Sequence, residues 1–209
     1  MSVSKEGRIE MIKISLTDFV DITTKSGTPK ATKIAEVKRR PDYDPRFDFY
    51  KPIREEIALT HRTNRNGDSL RSFLSNVTDR KKSANYPEIV DGYLKWLGRK
   101  LIIWAEPPRR LYRSNGVDVI INPEMSVSFK GESHLIKLYF KDEPLDRFRV
   151  DVILSLMEHT LRPHCPTGTV VSVMDVRRGK LFSWRAQSRS RMALVDAELA
   201  YIESLWPHV

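Results

Sequence analysis

The residues of this chain best equipped for chemistry are its cations, and they come in short clusters. These are Lys38-Arg39-Arg40, Arg80-Lys81-Lys82, Arg109-Arg110 with Arg113, Arg177-Arg178, and Arg185 with Arg189 and Arg191. Ammonium and guanidinium groups gathered this way attract phosphates, and each phosphate neutralised releases condensed counterions. Two clusters stand where phosphates are commonly met. Arg177-Arg178-Gly179 is expected at a hairpin tip, and the Ser-Arg-Ser-Arg run ending at Arg191 approaches the start of a helix. Any one cluster alone also reads as solvated surface, so the binding reading gains only if several share a face.

Other constellations carry less. Asp21 with Glu36-x-Lys38 completes an Asp…Glu-x-Lys set, but both segments have helical spacing, so a charged helix face is the expected outcome. His159, His164 and Cys165 lie close in sequence. Structural zinc takes four ligands in paired spacing, and no second pair exists, so no metal is expected there. Nor does a histidine adjacent in sequence give Cys165 the geometry of a nucleophile and its base. Neither G-x-x-x-x-G-K-[ST] nor G-x-G-x-x-G occurs, which argues against an ATPase or a dinucleotide enzyme. No cofactor is expected.

The elements that must position these residues change character along the chain. The first half has helical spacing: Leu16, Phe19 and Val20 with Ser15 or Thr17 as cap, then Ile34 and Val37, then Ile53 and Ile57. YPEIVDGYLKWLGRK follows as a strongly apolar helix. After Leu101 come LIIWAE, RLYRSN, VDVIIN, MSVSFKG and HLIKLYFK, short runs of β-branched and aromatic residues broken by Pro or Asn-Gly. A helix with Phe148, Val152, Leu156 and Met157 as its apolar stripe is expected next, then a hairpin over Arg177-Arg178-Gly179. A last helix carries Met192, Val195, Leu199, Ile202 and Leu205. The class predicted is α+β, an N-terminal helical region (residues 1–85) followed by a mixed β-sheet flanked by helices (86–209).

Composition sets the partners. Across 209 residues, 36 Lys and Arg outnumber 27 Asp and Glu, and the formal charge of +9 favours polyanions. A hydrophobic fraction of 40% argues for a packed core rather than disorder. The single cysteine fits a reducing compartment. MSVSKEGRIEMIKISLTDF has no apolar stretch of signal-peptide length, and no run approaches a membrane span, so a cytoplasmic, membrane-free protein is expected.

From about Tyr86 onward the order is helix, three strands, helix, strand pair, helix, with GVDVIINPEMSVSFKGESHLIKLYFK at its centre. This order resembles the core of the restriction-endonuclease-like superfamily, the PD-(D/E)XK nucleases, in its RecB-type branch. The resemblance implies a metal-binding Asp on the second strand of a β-meander and an Asp/Glu-x-Lys on the third. Asp118 falls where that Asp would sit, and Lys137 and Lys141 where the lysine would. The acid two residues earlier is missing: Leu135 precedes Lys137 and Tyr139 precedes Lys141. Magnesium wants several oxygen ligands at close range, so the resemblance implies a degenerate active site.

The expected function is therefore a non-catalytic nucleic-acid-binding or assembly subunit of a DNA-processing or genome-defence complex. The assembly is inferred from the company that degenerate nuclease folds keep. Lys38, Arg39, Arg40, Arg80, Lys81, Lys82, Arg177, Arg178, Arg189 and Arg191 would hold DNA phosphates, and apolar surface at Leu205 or Trp206 would dock a partner subunit. One alternative is a divergent magnesium-dependent nuclease using Asp118, Glu124 or Glu132, and Lys137. The other is a structural interaction subunit without nucleic acid, which predicts scattered bases and one large apolar patch.

Overall fold

The computed structural model describes residues 11–41, 44, 46, 48–183 and 190–209. It opens on a strand, β1 (Ile12–Ser15), just ahead of the helix that the spacing from Leu16 predicts. The signal for the strand is alternation: Ile12 and Ile14 are buried while Met11 and Lys13 face outward. Ser15 ends the strand and caps α1 (Leu16–Thr23), its hydroxyl accepting the Asp18 N–H at 3.0 Å. Four more helices follow: α2 (Gly27–Lys38), α3 (Lys51–Arg62), α4 (Asp68–Ser75) and α5 (Arg80–Leu97). Then come β2 (Ile103–Ala105), β3 (Arg110–Ser114), β4 (Val117–Ile121), β5 (Met125–Phe129) and β6 (Glu132–Tyr139). After α6 (Arg147–Leu161), the hairpin of β7 (Val170–Asp175) and β8 (Lys180–Ser183) leads to α7 (Ser190–Leu205). The chain is thus a mixed α/β protein, with helices first and a helix-flanked sheet region after them.

The strands form two sheets. One has the order β1-β4-β3, with β1 parallel and β3 antiparallel to β4; the other has the order β2-β5-β6-β7-β8. Within the larger sheet β6 and β7 are parallel, joined by α6 as crossover, and every other pairing is antiparallel. Two hairpins turn on residue pairs in the left-handed region, Asn115-Gly116 at φ 48° and 69° and Lys130-Gly131 at φ 52° and 78°. Two such residues in succession match the right-handed twist of the flanking strands.

Successive side chains of β6 and β7 serve two cores. Leu135, Tyr139, Val171 and Val173 join β1, β4, α1, α2, α6 and α7 on one side. Ile136, Leu138 and Met174 join α3, α4 and α5 on the other, around Ile57, Tyr86, Ile89 and Tyr93. Residues on both sides of position 85 share each core: Phe19 and Ile34 with Leu156 and Leu199, Ile53 and Leu70 with Ile136 and Met174. In α6, Val152, Leu156 and Met157 are buried as the spacing predicts, whereas Phe148 is 38% exposed in the first turn, outside the stripe. Leu205 and Trp206, expected as a docking surface, instead pack against the first core.

The second core contains an acid-sensitive contact. His61 is buried, its Nε2 2.6 Å from the Tyr93 hydroxyl, and burial pushes its pKa down to about 4. Between pH 6.5 and 4 the unfolded chain holds a proton here that the folded one does not, so stability falls as pH falls through that window. The expected loss is about 3 kcal/mol by pH 4 at ~1.4 kcal/mol per pH unit. Urea unfolding from pH 7 to pH 4 should show it, and His61→Gln, which keeps a polar group without the titration, should flatten the slope.

Candidate nucleic-acid interface

The predicted phosphate-binding residues end in different situations. Lys38 donates to the carbonyls of Trp206 and Val209 at 2.6 and 2.8 Å, tying the C-terminus to α2. Arg39 is exposed, and Arg40 pairs with Asp18 at 3.0 Å. The Arg177-Arg178-Gly179 hairpin is present, but its tip is pressed onto α5. Arg177 is buried, donates to the Phe140 carbonyl at 2.8 Å and pairs with Glu88. Arg178 donates to the Asp142 carbonyl and pairs with Asp175. Arg191 pairs with Asp151 at 2.7 Å, while Arg185 and Arg189 lie outside the described residues. Arg80, Lys81 and Lys82 stand at the first turn of α5, with no acidic side-chain partner within ion-pair distance among the described residues. Asp79 caps that turn through the Lys82 N–H at 2.9 Å.

The residues named by the nuclease resemblance separate. Asp118 stands on β4 in the smaller sheet, whereas Lys137 stands on β6, whose neighbours are β5 and β7. Asp118 accepts a hydrogen bond from Arg113 Nε at Oδ2, 3.4 Å away, while its buried Oδ1, 3.3 Å from the same nitrogen, has no hydrogen-bond partner. Glu124 and Lys137 do meet, at 2.5 Å, with side chains 8% and 10% exposed. Their bonding capacity is turned inward: Glu124 Oε2 accepts the Leu138 N–H at 2.6 Å, and Lys137 also donates to the Asn122 carbonyl. Glu132 is exposed, 3.6 Å from His134 Nε2. Asp21, Glu36 and Lys38 likewise part company, as their helical placement predicts: Asp21 pairs with Lys141 and Glu36 with Lys33. Among the described residues no group of three or more His, Cys, Asp or Glu is gathered to hold a metal ion. His159 meets the Tyr112 ring edge-on, His164 Nδ1 lies 3.4 Å from Arg110, and burial raises the Cys165 thiol pKa.

The larger cationic surface is built on α5. Its solvent ridge runs Lys81, Ala84, Glu88, Asp91, Lys95, the i, i+3, i+7 spacing of one helix face. Both acids on the ridge are already engaged by arginines from other elements, Glu88 by Arg177 and Asp91 by Arg71 at 3.5 Å. Lys81 and Lys95 have no such partner among the described residues. At roughly 1.5 Å of rise per residue, α5 places Lys81 and Lys95 about 21 Å apart along its axis. Gly98, at φ 49°, stops the helix and turns the chain outward.

Beyond that stop, Arg99, Lys100, Leu101 and the hairpin residue Lys130 line a shallow depression without a carboxylate. The Lys100 ammonium donates to the Trp96 carbonyl and sits 5.0 Å from the centre of the Trp96 ring. Burial, and next the charge of Lys130, lower its pKa from the ordinary value. Clusters read along the chain miss this site because Lys130 is distant in sequence from Gly98-Arg99-Lys100; the pairing of β2 with β5, which sets Ile103 opposite Ser128, brings them together. The signal available was the left-handed turn at Lys130-Gly131, which fixes where that lysine must stand. No protein-family model matches the chain, and no curated protein is significantly similar to it in sequence.

Proposed function

We propose that this protein is a non-catalytic nucleic-acid-binding subunit that holds phosphates along the ridge of α5 and in the depression beyond its end. The observation that carries the reading is the depression itself, lined by three cations and no carboxylate. Two features that cost stability support it. Arg80, Lys81 and Lys82 crowd the positive end of a helix dipole, where each cation is unfavourable by roughly 0.3–1 kcal/mol. Lys130 occupies the left-handed backbone region, at about 1 kcal/mol for a residue with a Cβ. Bound phosphates would offset the first cost and give the second a purpose. The chemistry on the nucleic acid would then belong to partner subunits of a DNA-processing or defence assembly.

The enzymatic alternative has less support. It needs carboxylate oxygens turned to an open site, and those of Glu124 are spent on Lys137 and the Leu138 N–H.

The test is fluorescence-anisotropy titration with a DNA duplex over a series of salt concentrations. Binding that weakens linearly in log-log form is expected. Lys81→Ala, Lys95→Ala and Lys130→Gly together should flatten the slope by about 0.9 for each phosphate no longer neutralised. Lys130→Gly alone should raise stability by up to about 1 kcal/mol while weakening binding. No binding at low ionic strength would remove the proposal.

A further inference from the structure

The two most exposed large apolar side chains of the described residues, Leu101 at 88% and Ile103 at 71%, lie two positions apart beside the cationic depression. Ile103 opens β2, the edge strand of the larger sheet, which pairs with β5 alone. From Leu101 to Ala105 exposure alternates, so that Leu101, Ile103 and Ala105 are exposed while Ile102 and Trp104 are half-buried against the second core. The strand's inner ring is covered too: the Arg62 guanidinium lies 5.6 Å from the centre of Trp104. A short apolar row therefore runs out of the cationic depression, with Arg99, Lys100 and Lys130 at its start, while Arg62, on the Trp104 side of the strand, is paired with Glu106 at 3.3 Å.

We infer that this surface takes a single-stranded nucleic acid, its phosphates at Arg99, Lys100 and Lys130 and its unstacked bases against Leu101 and Ile103. The inference rests on the nucleic-acid reading and narrows its substrate class. A duplex offers phosphates but keeps its base faces stacked inside, and it would leave the apolar row in water. A single strand presents both; sequence-tolerant strand binders combine a basic track with aromatic stacking platforms, and here Leu101 and Ile103 would give the bases aliphatic contact in that place. Charge chooses this occupant over a second copy of the chain. The protein carries +9, and pairing two β2 edges would bring two cationic surfaces together.

Binding of the full chain to labelled oligothymidine, oligouridine and a DNA duplex of equal length, at one salt concentration, tests this. Either single strand, or both, should bind about tenfold more tightly than the duplex, and the thymidine–uridine ratio tells DNA from RNA. The double variant Leu101→Ser/Ile103→Ser should lower single-strand affinity about tenfold with its salt slope kept, because it removes base contacts and leaves the phosphates held. Lys100→Ala/Lys130→Ala should instead reduce that slope, by about 0.7 for each phosphate set free. Both apolar side chains are exposed, so the serine variant is expected to melt with the wild type, which a thermal scan checks. Equal affinity for strand and duplex, unchanged single-strand binding in the serine variant, or displacement by a polyglutamate peptide of matched charge overturns the inference. If duplex binding remains salt-dependent in those cases, the broader nucleic-acid reading stands; loss of all binding removes both.

Discussion

Replacing Lys137 by methionine is expected to destabilise the protein by about 3–5 kcal/mol, the range for stranding one member of a buried ion pair. Lys137 and Glu124 stand 2.5 Å apart with side chains 10% and 8% exposed. The glutamate leads into β5 and accepts the Leu138 N–H of β6, while its own N–H donates to the Ile136 carbonyl at 3.1 Å. The pair thus fastens the corner between β4 and β5 onto the middle of the larger sheet. Without Lys137 the carboxyl must remain charged without its counterion or take up a proton, and either course costs free energy. The double variant Glu124→Gln/Lys137→Met removes both charges and should recover much of the loss. Urea denaturation of the two variants gives the comparison. A single variant within about 1 kcal/mol of wild type would show that the pair is not a structural fastener, and would reopen a chemical role for both residues.

Gly92→Ala is expected to cost about 3 kcal/mol or more, or to prevent folding. Helix propensity alone predicts the opposite sign, since alanine in a helix interior gains about 1 kcal/mol over glycine. The sign is set by what lies opposite. A Cβ on Gly92 would stand 2.2 Å from the backbone carbonyl oxygens of both Val176 and Arg177. Those oxygens belong to the β7–β8 turn, so relief requires moving backbone rather than rotating a side chain. The approach is mutual: a Cβ on Gly179 would come 2.6 Å from the Gly92 carbonyl oxygen, and Gly179 is also at φ 61°. Gly131 supplies the contrast, since it too has positive φ, at 78°, but a Cβ there meets nothing within 4 Å. Gly131→Ala should therefore show backbone strain alone, on the order of 1 kcal/mol, and far less than Gly92→Ala. A thermal scan showing Gly92→Ala as stable as wild type would mean that α5 does not cross the turn this closely.

The close approach at Gly92 also explains why Arg177 does not meet solvent. As a sequence, Arg177-Arg178-Gly179 has every mark of an exposed turn, and the turn forms. Its exposure depended on what α5 does. That helix carries a glycine at the crossing point, which lets the two backbones meet and buries the arginine between Glu88 and the Phe140 carbonyl. The same helix explains the cationic surface. Arg80-Lys81-Lys82 is legible as a cluster in the sequence, whereas Lys130 reaches Arg99 and Lys100 only through the pairing of β2 with β5.

By itself the sequence determined most of the kinds of element, β1 excepted, because helical spacing, strand alternation, caps and left-handed turn residues act over a few positions. The cap, narrowed by sequence to Ser15 or Thr17 and taken by Ser15, the Asn115-Gly116 turn and the buried stripe of Val152, Leu156 and Met157 are all of this kind. Tertiary structure alone decided partnership: that β1 pairs with β4, that Asp118 and Lys137 fall in different sheets, and that Lys100 and Lys130 share a depression. Propensity is local, whereas a pairing between segments far apart in the chain is chosen by packing the whole core at once. Clusters of neighbouring cations can therefore have different fates, as Arg177 is buried against Glu88 while Arg99 stays exposed, and residues far apart can meet, as Lys100 and Lys130 do.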